Sequence, residues 1–530
     1  MPRNKVIPKV VPMAALQILT ALWSQMRFIR LCVLICCRDE SLVEWLRGEH
    51  GSLRAAALLA SLMGMAFPCA PTLAACVLTT LALGWVCLPY EVDNSGTYGL
   101  LSDLNLAAGL AWAWLNASSA EDGWQASAPA ARAIFVTTYA YAAFAKLNSD
   151  WARVRKSGCT VFTLLVAHAF VPAGLSRHAL KAIGDRGALL VLRGVLVALT
   201  LVELANPVLL CCAPLRTAAT IVWVFHLAMA TIAYDYSVIA VCSMVLCAPP
   251  AEVTSLAWVT TAPARLIAVS AALVELWRLA SRRACELGSA EHVVAYLWLC
   301  ALCPALWLSA EATTPPSIFA RSDQIPLPLL VSGWALLAAT IVNGAGPYLG
   351  CKTCGTWAMF SNLHTEGGHT NHCLVPAWLQ PFGLARDLLT VIATDAPRLA
   401  QYHTYSAFDT VLEGETGPVA EFARRTGCAM VSHANSVLGG GGSVATVLPY
   451  RLPRWQLRRV IAAEVMPSTR DFFVEYEAAE GRRRFALQGG KPTPGSDLAL
   501  TVAPPLLWRK LVCFKSVLVE ERLCGVCHGP

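Results

Sequence analysis

Between Leu53 and Tyr348 one apolar stretch follows another with only short polar interruptions, and this repetition restricts the possible folds more than any other feature. The stretches fall near Leu53–Phe67, Thr72–Leu88, Tyr98–Leu115, Ala133–Leu147, Ala188–Leu210, Ala218–Cys247, Leu256–Leu279, Val293–Leu308 and Leu327–Val342. A helix needs about 20 mostly apolar residues to cross the hydrocarbon core, a length that the longer stretches reach and the shorter ones do not. Backbone inside lipid must satisfy its own hydrogen bonds, so helices are the reading for this pattern, about eight of them. Only 14% of the 530 residues are charged, against about 25% in an ordinary soluble domain. A soluble chain so poor in charge could not cover its surface, whereas lipid requires no such cover.

The expected fold is mainly α: a polytopic transmembrane helix bundle over residues 51–348, with a smaller β-containing extramembrane region over 349–530. Residues 1–50 form a partly amphipathic N-terminal segment. Basic clusters at Arg27, Arg30 and Arg38 and at Arg278, Arg282 and Arg283 predict cytoplasmic loops. After Gly350 glycines and charges become frequent, and the Gly439–Gly442 run marks a loop. Asp471–Glu477 and Arg484–Leu487 carry strand-forming patterns. The C-terminal arginines (Arg451, Arg454, Arg458, Arg459 and Arg482–Arg484) either meet anionic lipid headgroups or form an ordinary solvated face. The net charge of +7 is scattered, which excludes nucleic acid as the expected partner and leaves membrane lipid. Many of the 21 cysteines lie in apolar stretches, where cysteine acts as a small hydrophobe.

Ionisable side chains inside apolar helices are costly and therefore mark functional candidates. Lys146, Glu203 and His226 stand out. Lys146 closes a helix whose surroundings are aromatic (Tyr139, Tyr141, Phe144), and Asn148, Asp150 and Trp151 follow it. Desolvation there disfavours the ammonium form, so the amine would be available as a general base. The alternative is a lysine at a helix end that snorkels to the interface and pairs with Asp150. Glu203 must be protonated, paired or in a wet cavity. His226 is either a structural core histidine or a proton-handling group.

The run Arg132-Ala-Ile-Phe-Val-Thr-Thr-Tyr139 through Lys146-Leu147-Asn148-Ser149-Asp150-Trp151 resembles the signature of the vitamin K-dependent gamma-carboxylase family, also called the horizontally transferred transmembrane domain family. Phe225-His226-Leu-Ala-Met229 is similar to the family's second signature, and Glu203 with Pro207 fits the acidic helix between them. The resemblance covers roughly residues 50–345. The segment from Pro347 through Glu366-Gly367-Gly368 to Asn371-His372 is similar to a less characterised branch of that family.

The resemblance implies a bundle in which Lys146 deprotonates reduced vitamin K or a related quinol. The oxygenated product is a strong base that removes a γ-proton from a glutamate of a protein substrate, and carbon dioxide is then captured. His226 and Glu203 would line the cavity or handle protons, and Tyr139 and Trp151 would bind the cofactor. An endomembrane location such as the endoplasmic reticulum is implied if the source is eukaryotic. Two departures stand beside this. Asn94 occupies the place of a histidine ahead of Tyr98-Gly99-Leu100-Leu101, and an amide cannot take up a proton as imidazole can. The chain also has far less sequence after the bundle than the propeptide-binding half of the vertebrate-type carboxylase. Two other functions remain open: a non-enzymatic membrane scaffold, and a lipid or small-molecule transporter.

Further patterns are weaker. Cys524-Gly-Val-Cys527-His528 matches covalent haem attachment but has no following segment to cover a haem. Cys351 and Cys354 with His364, His369, His372 and Cys373 are irregularly spaced for zinc. No metal is expected.

Overall fold

Ten helices before residue 350 occupy the larger part of the described chain. A computed structural model describes residues 14–37, 42–48, 50–87, 94–151, 171–212, 234–247, 260–280, 325–353, 356–358, 363–396, 416–428, 449–468, 471–514 and 517–518, with isolated positions between 153 and 168, between 218 and 226, and at 399. The helices are α1 (Ala14–Cys37), α2 (Leu42–Arg47), α3 (Gly51–Ala66), α4 (Ala70–Cys87), α5 (Asn94–Leu115), α6 (Ala120–Ala145), α7 (Ala173–Cys212), α8 (Tyr234–Cys247), α9 (Ala262–Ala280) and α10 (Leu327–Leu349). Ser119 and Asp122 form a reciprocal capping box that starts α6, satisfying amide donors that the helix itself leaves open. Gly350, at φ 70°, ends α10 in the left-handed conformation that glycine adopts most cheaply. α7 breaks at Gly184, whose φ of 67° interrupts the helix.

α1 lies inside the segment expected to precede the bundle, yet it is central to the core. Its Ile18, Leu22, Trp23 and Met26 pack with Trp124 and Phe135 of α6 and with Ile239 and Val245 of α8. The expectation of a cytoplasmic loop at Arg27 and Arg30 does not hold, because both residues are buried within α1. The physical reason is compensation: Arg27 meets a buried carboxylate, Asp103 of α5, at 2.5 Å. Neighbouring helices approach closely through small residues. A Cβ placed on Gly109 of α5 would lie 2.5 Å from the carbonyl oxygen of Gly123 in α6, so the two backbones touch directly, the close packing that small residues permit between apolar helices.

Among the described residues two helices, α7 and α10, are long and apolar enough to cross a membrane, and Gly51–Ala66, Ala70–Val86 and Ala262–Val274 are shorter apolar helices. Their outward faces carry exposed large hydrophobic residues such as Leu59, Leu78, Leu201, Val208, Ile267 and Val331. The expected stretch Val293–Leu308 lies outside the described residues, as do Arg38, Arg282 and Arg283.

The C-terminal region forms a six-stranded antiparallel sheet ordered β5-β4-β3-β1-β2-β6. Its strands are β1 (Leu388–Thr394), β2 (Tyr450–Pro453), β3 (Phe472–Ala478), β4 (Gly481–Gln488), β5 (Lys491–Pro492) and β6 (Val517–Leu518). Both expected strand segments fall on the β3–β4 hairpin. Phe472, Val474, Tyr476 and Ala478 alternate into the core, as the two-residue period of a strand requires. After α11 (Pro418–Thr426), α12 (Arg454–Val460) continues through a π-turn at Ile461–Val465 and packs Leu457, Val460 and Ile461 on the sheet. The arginines of this region are largely taken up locally. Arg454 meets Asp387 and Glu480, Arg482 meets Glu475, and Arg459 is buried rather than exposed. The Gly439–Gly442 run lies outside the described residues.

Candidate functional site

The run Lys146–Trp151 is a tight turn closing α6, and Asn148 organises it. Its side-chain oxygen accepts from the amides of Trp151 at 2.8 Å and Asp150 at 3.1 Å, while its amide nitrogen donates to the Ala145 carbonyl at 2.8 Å. The turn therefore ends the helix and aims Trp151 at α7, where the indole N–H donates to Thr200 Oγ1 at 2.7 Å. Lys146 is buried, with its Nζ 2.5 Å from Glu203 Oε2 on α7 and 5.3 Å from the centre of the Trp151 ring. The same Nζ donates to the Ala142 carbonyl at 3.3 Å. The expected alternative of Lys146 paired with Asp150 is replaced by the pair with Glu203. Asp150 instead accepts from the Asn371 side chain at 3.2 Å and lies 3.6 Å from Arg153. The reason is direction: Lys146 extends along the apolar face between α6 and α7, whereas Asp150 faces the C-terminal region.

α7 supplies this site from one narrow stripe. Leu192, Leu196 and Leu210 are buried along it, while Leu190, Val197, Leu201 and Val208 on the opposite side are exposed. Thr200, Glu203 and Asn206 sit on the inward stripe at the three-to-four-residue spacing of one helix face. Asn206 is 1% exposed, and neither its amide oxygen nor its amide nitrogen has a hydrogen-bond partner among the described residues. An unpartnered buried amide costs about 1–3 kcal/mol, so the residue is out of place in a purely structural interior. The sequence reading missed Asn206; its position about one turn beyond Glu203 in an apolar helix was the available signal.

Lower on the same face of α6, about two helical turns from Lys146, the Tyr139 hydroxyl meets His226 Nε2 in a close hydrogen bond. His226 Nδ1 lies 3.3 Å from Ser237 Oγ of α8. His226 is fully buried, and Tyr139 also packs edge-on against Phe135 at 4.9 Å. The structure thus brings Lys146, Glu203 and Trp151 into direct contact and joins Tyr139 to His226 as a second polar group nearby.

The segment with the Gly-Gly and Asn-His pattern forms a roof over the turn. Ser149 N–H donates to the Asn371 carbonyl at 2.9 Å, and Cys373 N–H donates to the Leu147 carbonyl at 2.8 Å. His372 Nδ1 accepts from the amides of Leu374 and Val375, both at 3.1 Å, which places the ring proton on Nε2, 2.9 Å from the Phe144 carbonyl. Both ring nitrogens are therefore engaged by backbone, which suits a structural clamp better than a metal ligand. Burial pushes the His372 imidazole below its ordinary value of 6.5, outweighing the Phe144 carbonyl. Cys354, Cys524, Cys527 and His528 lie outside the described residues. α5 begins at Asn94, whose side chain also lies outside them.

Two further buried polar groups hold the bundle together. Asp103 accepts from Trp23 Nε1 at 2.8 Å and Thr80 Oγ1 at 3.0 Å besides meeting Arg27, and Arg27 also donates to the Gly99 carbonyl at 2.7 Å. Arg132 of the first signature donates to the Cys247 carbonyl at the end of α8, at 2.5 Å, a favourable place for a cation. No family model, curated protein or solved structure matches the chain.

Proposed function

We propose that this chain is a multi-pass membrane enzyme of the gamma-carboxylase type, using Lys146 as the base toward a lipophilic quinol. The observation that supports this most directly is the buried Lys146–Glu203 pair beside the Asn206 amide, which has no partner among the described residues. One proton serves the pair, as ammonium with carboxylate or as amine with carboxylic acid. The second arrangement provides a neutral amine without exporting charge from the site. Lys146 then accepts a proton from the substrate, and the resulting ammonium is held beside the Trp151 face. Asn206 offers a donor and an acceptor to a ligand hydroxyl or carbonyl, so these residues fit a quinol. When bound, a quinol supplies the acidic hydroxyl and the reducing electrons. Thr200 fixes Trp151, and the roof over residues 147–149 keeps bulk water from the base. A glutamate of a protein substrate is the proposed acceptor, and an endomembrane such as the endoplasmic reticulum is the proposed location.

The exposed apolar faces of α3, α4, α7, α9 and α10 support the multi-pass reading, since monomeric soluble proteins rarely expose contiguous apolar patches of that extent. Oxygen-dependent epoxidation of a quinol by the purified protein in detergent is the test. Wild type should form epoxide, and Lys146→Ala should not while remaining folded. A folded wild type that binds quinol and yields no epoxide would overturn the proposal in favour of a scaffold.

A further inference from the structure

The short helix α13 (Leu506–Leu511) buries none of its residues. Its sequence, Leu-Leu-Trp-Arg-Lys-Leu, therefore has no explanation in the packing of the C-terminal region. Leu506 and Leu507 are 59% and 58% exposed, and Trp508 and Leu511 are also exposed. A second segment lies alongside: the loop after α10 exposes Trp378 at 76% and Phe382 at 52%. The rings of Phe382 and Trp508 meet edge-on at 6.4 Å, so the two segments form one apolar surface.

Both segments are fastened to the ends of helices of the bundle. Phe382 N–H donates to the carbonyl of Leu349, the last residue of α10, at 3.2 Å. Lys510 Nζ donates to the carbonyl of Val86, in the last turn of α4, at 2.8 Å. Thr353 N–H, just past α10, donates to the Cys513 carbonyl, just past α13, at 2.9 Å, so the ends of the two helices are held together. The surface therefore begins where α4 and α10 end. Tryptophan is favoured at that level because its ring is apolar and its N–H can reach the wet headgroup side.

We infer that this surface, formed by Trp378, Phe382, Leu506, Leu507, Trp508 and Leu511, sits in the headgroup and acyl boundary of the bilayer that holds the bundle, an inference that rests on the multi-pass reading. The C-terminal region is thereby a monotopic anchor as well as a roof. Of the arginines left open between lipid headgroups and a solvated face, Arg454, Arg482 and Arg484 pair with Asp387, Glu480 and Glu475, and apolar burial does the anchoring.

The experiment uses the full chain in nanodiscs of phosphatidylcholine with phosphatidylserine. The photoreactive residue p-benzoylphenylalanine is placed in turn at Leu507, Trp378, Leu201 on the outer face of α7, and Arg483 on β4. Mass spectrometry after illumination should find acyl-chain adducts at Leu507 and Trp378 in yield comparable to Leu201, and none at Arg483. Adducts at Leu201 with none at Leu507 and Trp378, or crosslinks from those two positions to the chain itself or to a second copy, would overturn the anchor and leave the membrane reading intact. Absence of lipid adducts at Leu201 as well would remove the multi-pass reading and the anchor with it.

Discussion

Lys146 and Glu203 meet at 2.5 Å across the interface of α6 and α7, both largely excluded from solvent. Breaking a buried ion pair from one side leaves an uncompensated charge, whereas replacing both partners by apolar residues removes the desolvation cost as well. Lys146→Met alone and Glu203→Leu alone should each destabilise the protein by about 3–5 kcal/mol. The double variant should recover most of that loss and still form no epoxide. Thermal unfolding in detergent alongside the epoxidation assay separates the two effects; epoxide from the stable double variant would remove Lys146 from the chemistry.

Asn206 makes the opposite prediction. With no hydrogen bond to lose among the described residues, Asn206→Leu should leave stability unchanged or raise it by about 1–3 kcal/mol. Its cost should appear in quinol handling, as a higher KM or a lost epoxidation rate. A marked fall in melting temperature with unchanged kinetics would show that the amide is structural.

Asp103 and Arg27 form a polar staple with Trp23 and Thr80, away from the Lys146 pair. Asp103→Leu should cost about 3–5 kcal/mol by stranding the Arg27 guanidinium in the core. Quinol affinity of the fraction that remains folded should match wild type. Direct binding measurements below the lowered unfolding temperature check this.

His372 gives the roof a pH dependence. Its imidazole is neutral in the fold, and its pKa lies below the ordinary 6.5 because of burial. A second ring proton would have to enter at Nδ1, against the amides of Leu374 and Val375 that it accepts from. The unfolded chain binds that proton first as pH falls, so the contribution is fully present above about 6.5 and is lost toward the lower folded value. The melting temperature should decline between pH 7 and 5, and His372→Gln should flatten that decline. An unchanged pH profile in the variant would assign the decline elsewhere.

Gly344 of α10 marks a close helix approach. A Cβ there would lie 2.4 Å from the Tyr141 ring and 2.8 Å from the Trp357 ring. Gly344→Ala should therefore destabilise by about 1–3 kcal/mol, the cost of overpacking, seen as a lower unfolding temperature.

The repeated apolar stretches and the low charge by themselves determined a mainly helical chain, and the alternation from Phe472 to Leu487 determined a strand pair at its end, because both are local periodicities. They also singled out Lys146, Glu203 and His226, since an ionisable residue in an apolar helix is conspicuous without knowledge of its neighbours. Only the tertiary structure decided the partners: Glu203 rather than Asp150 for Lys146, Tyr139 for His226, Asp103 for Arg27, and the roof that Asn371 and His372 lay over residues 147–149. Those pairs join residues far apart in the chain, and no local pattern encodes which buried charge meets which. The same holds for α1, whose arginines read as a loop until the carboxylate that neutralises one of them is found on another helix. Burial of charge is set by the company that folding brings, and that company is a property of the packed bundle.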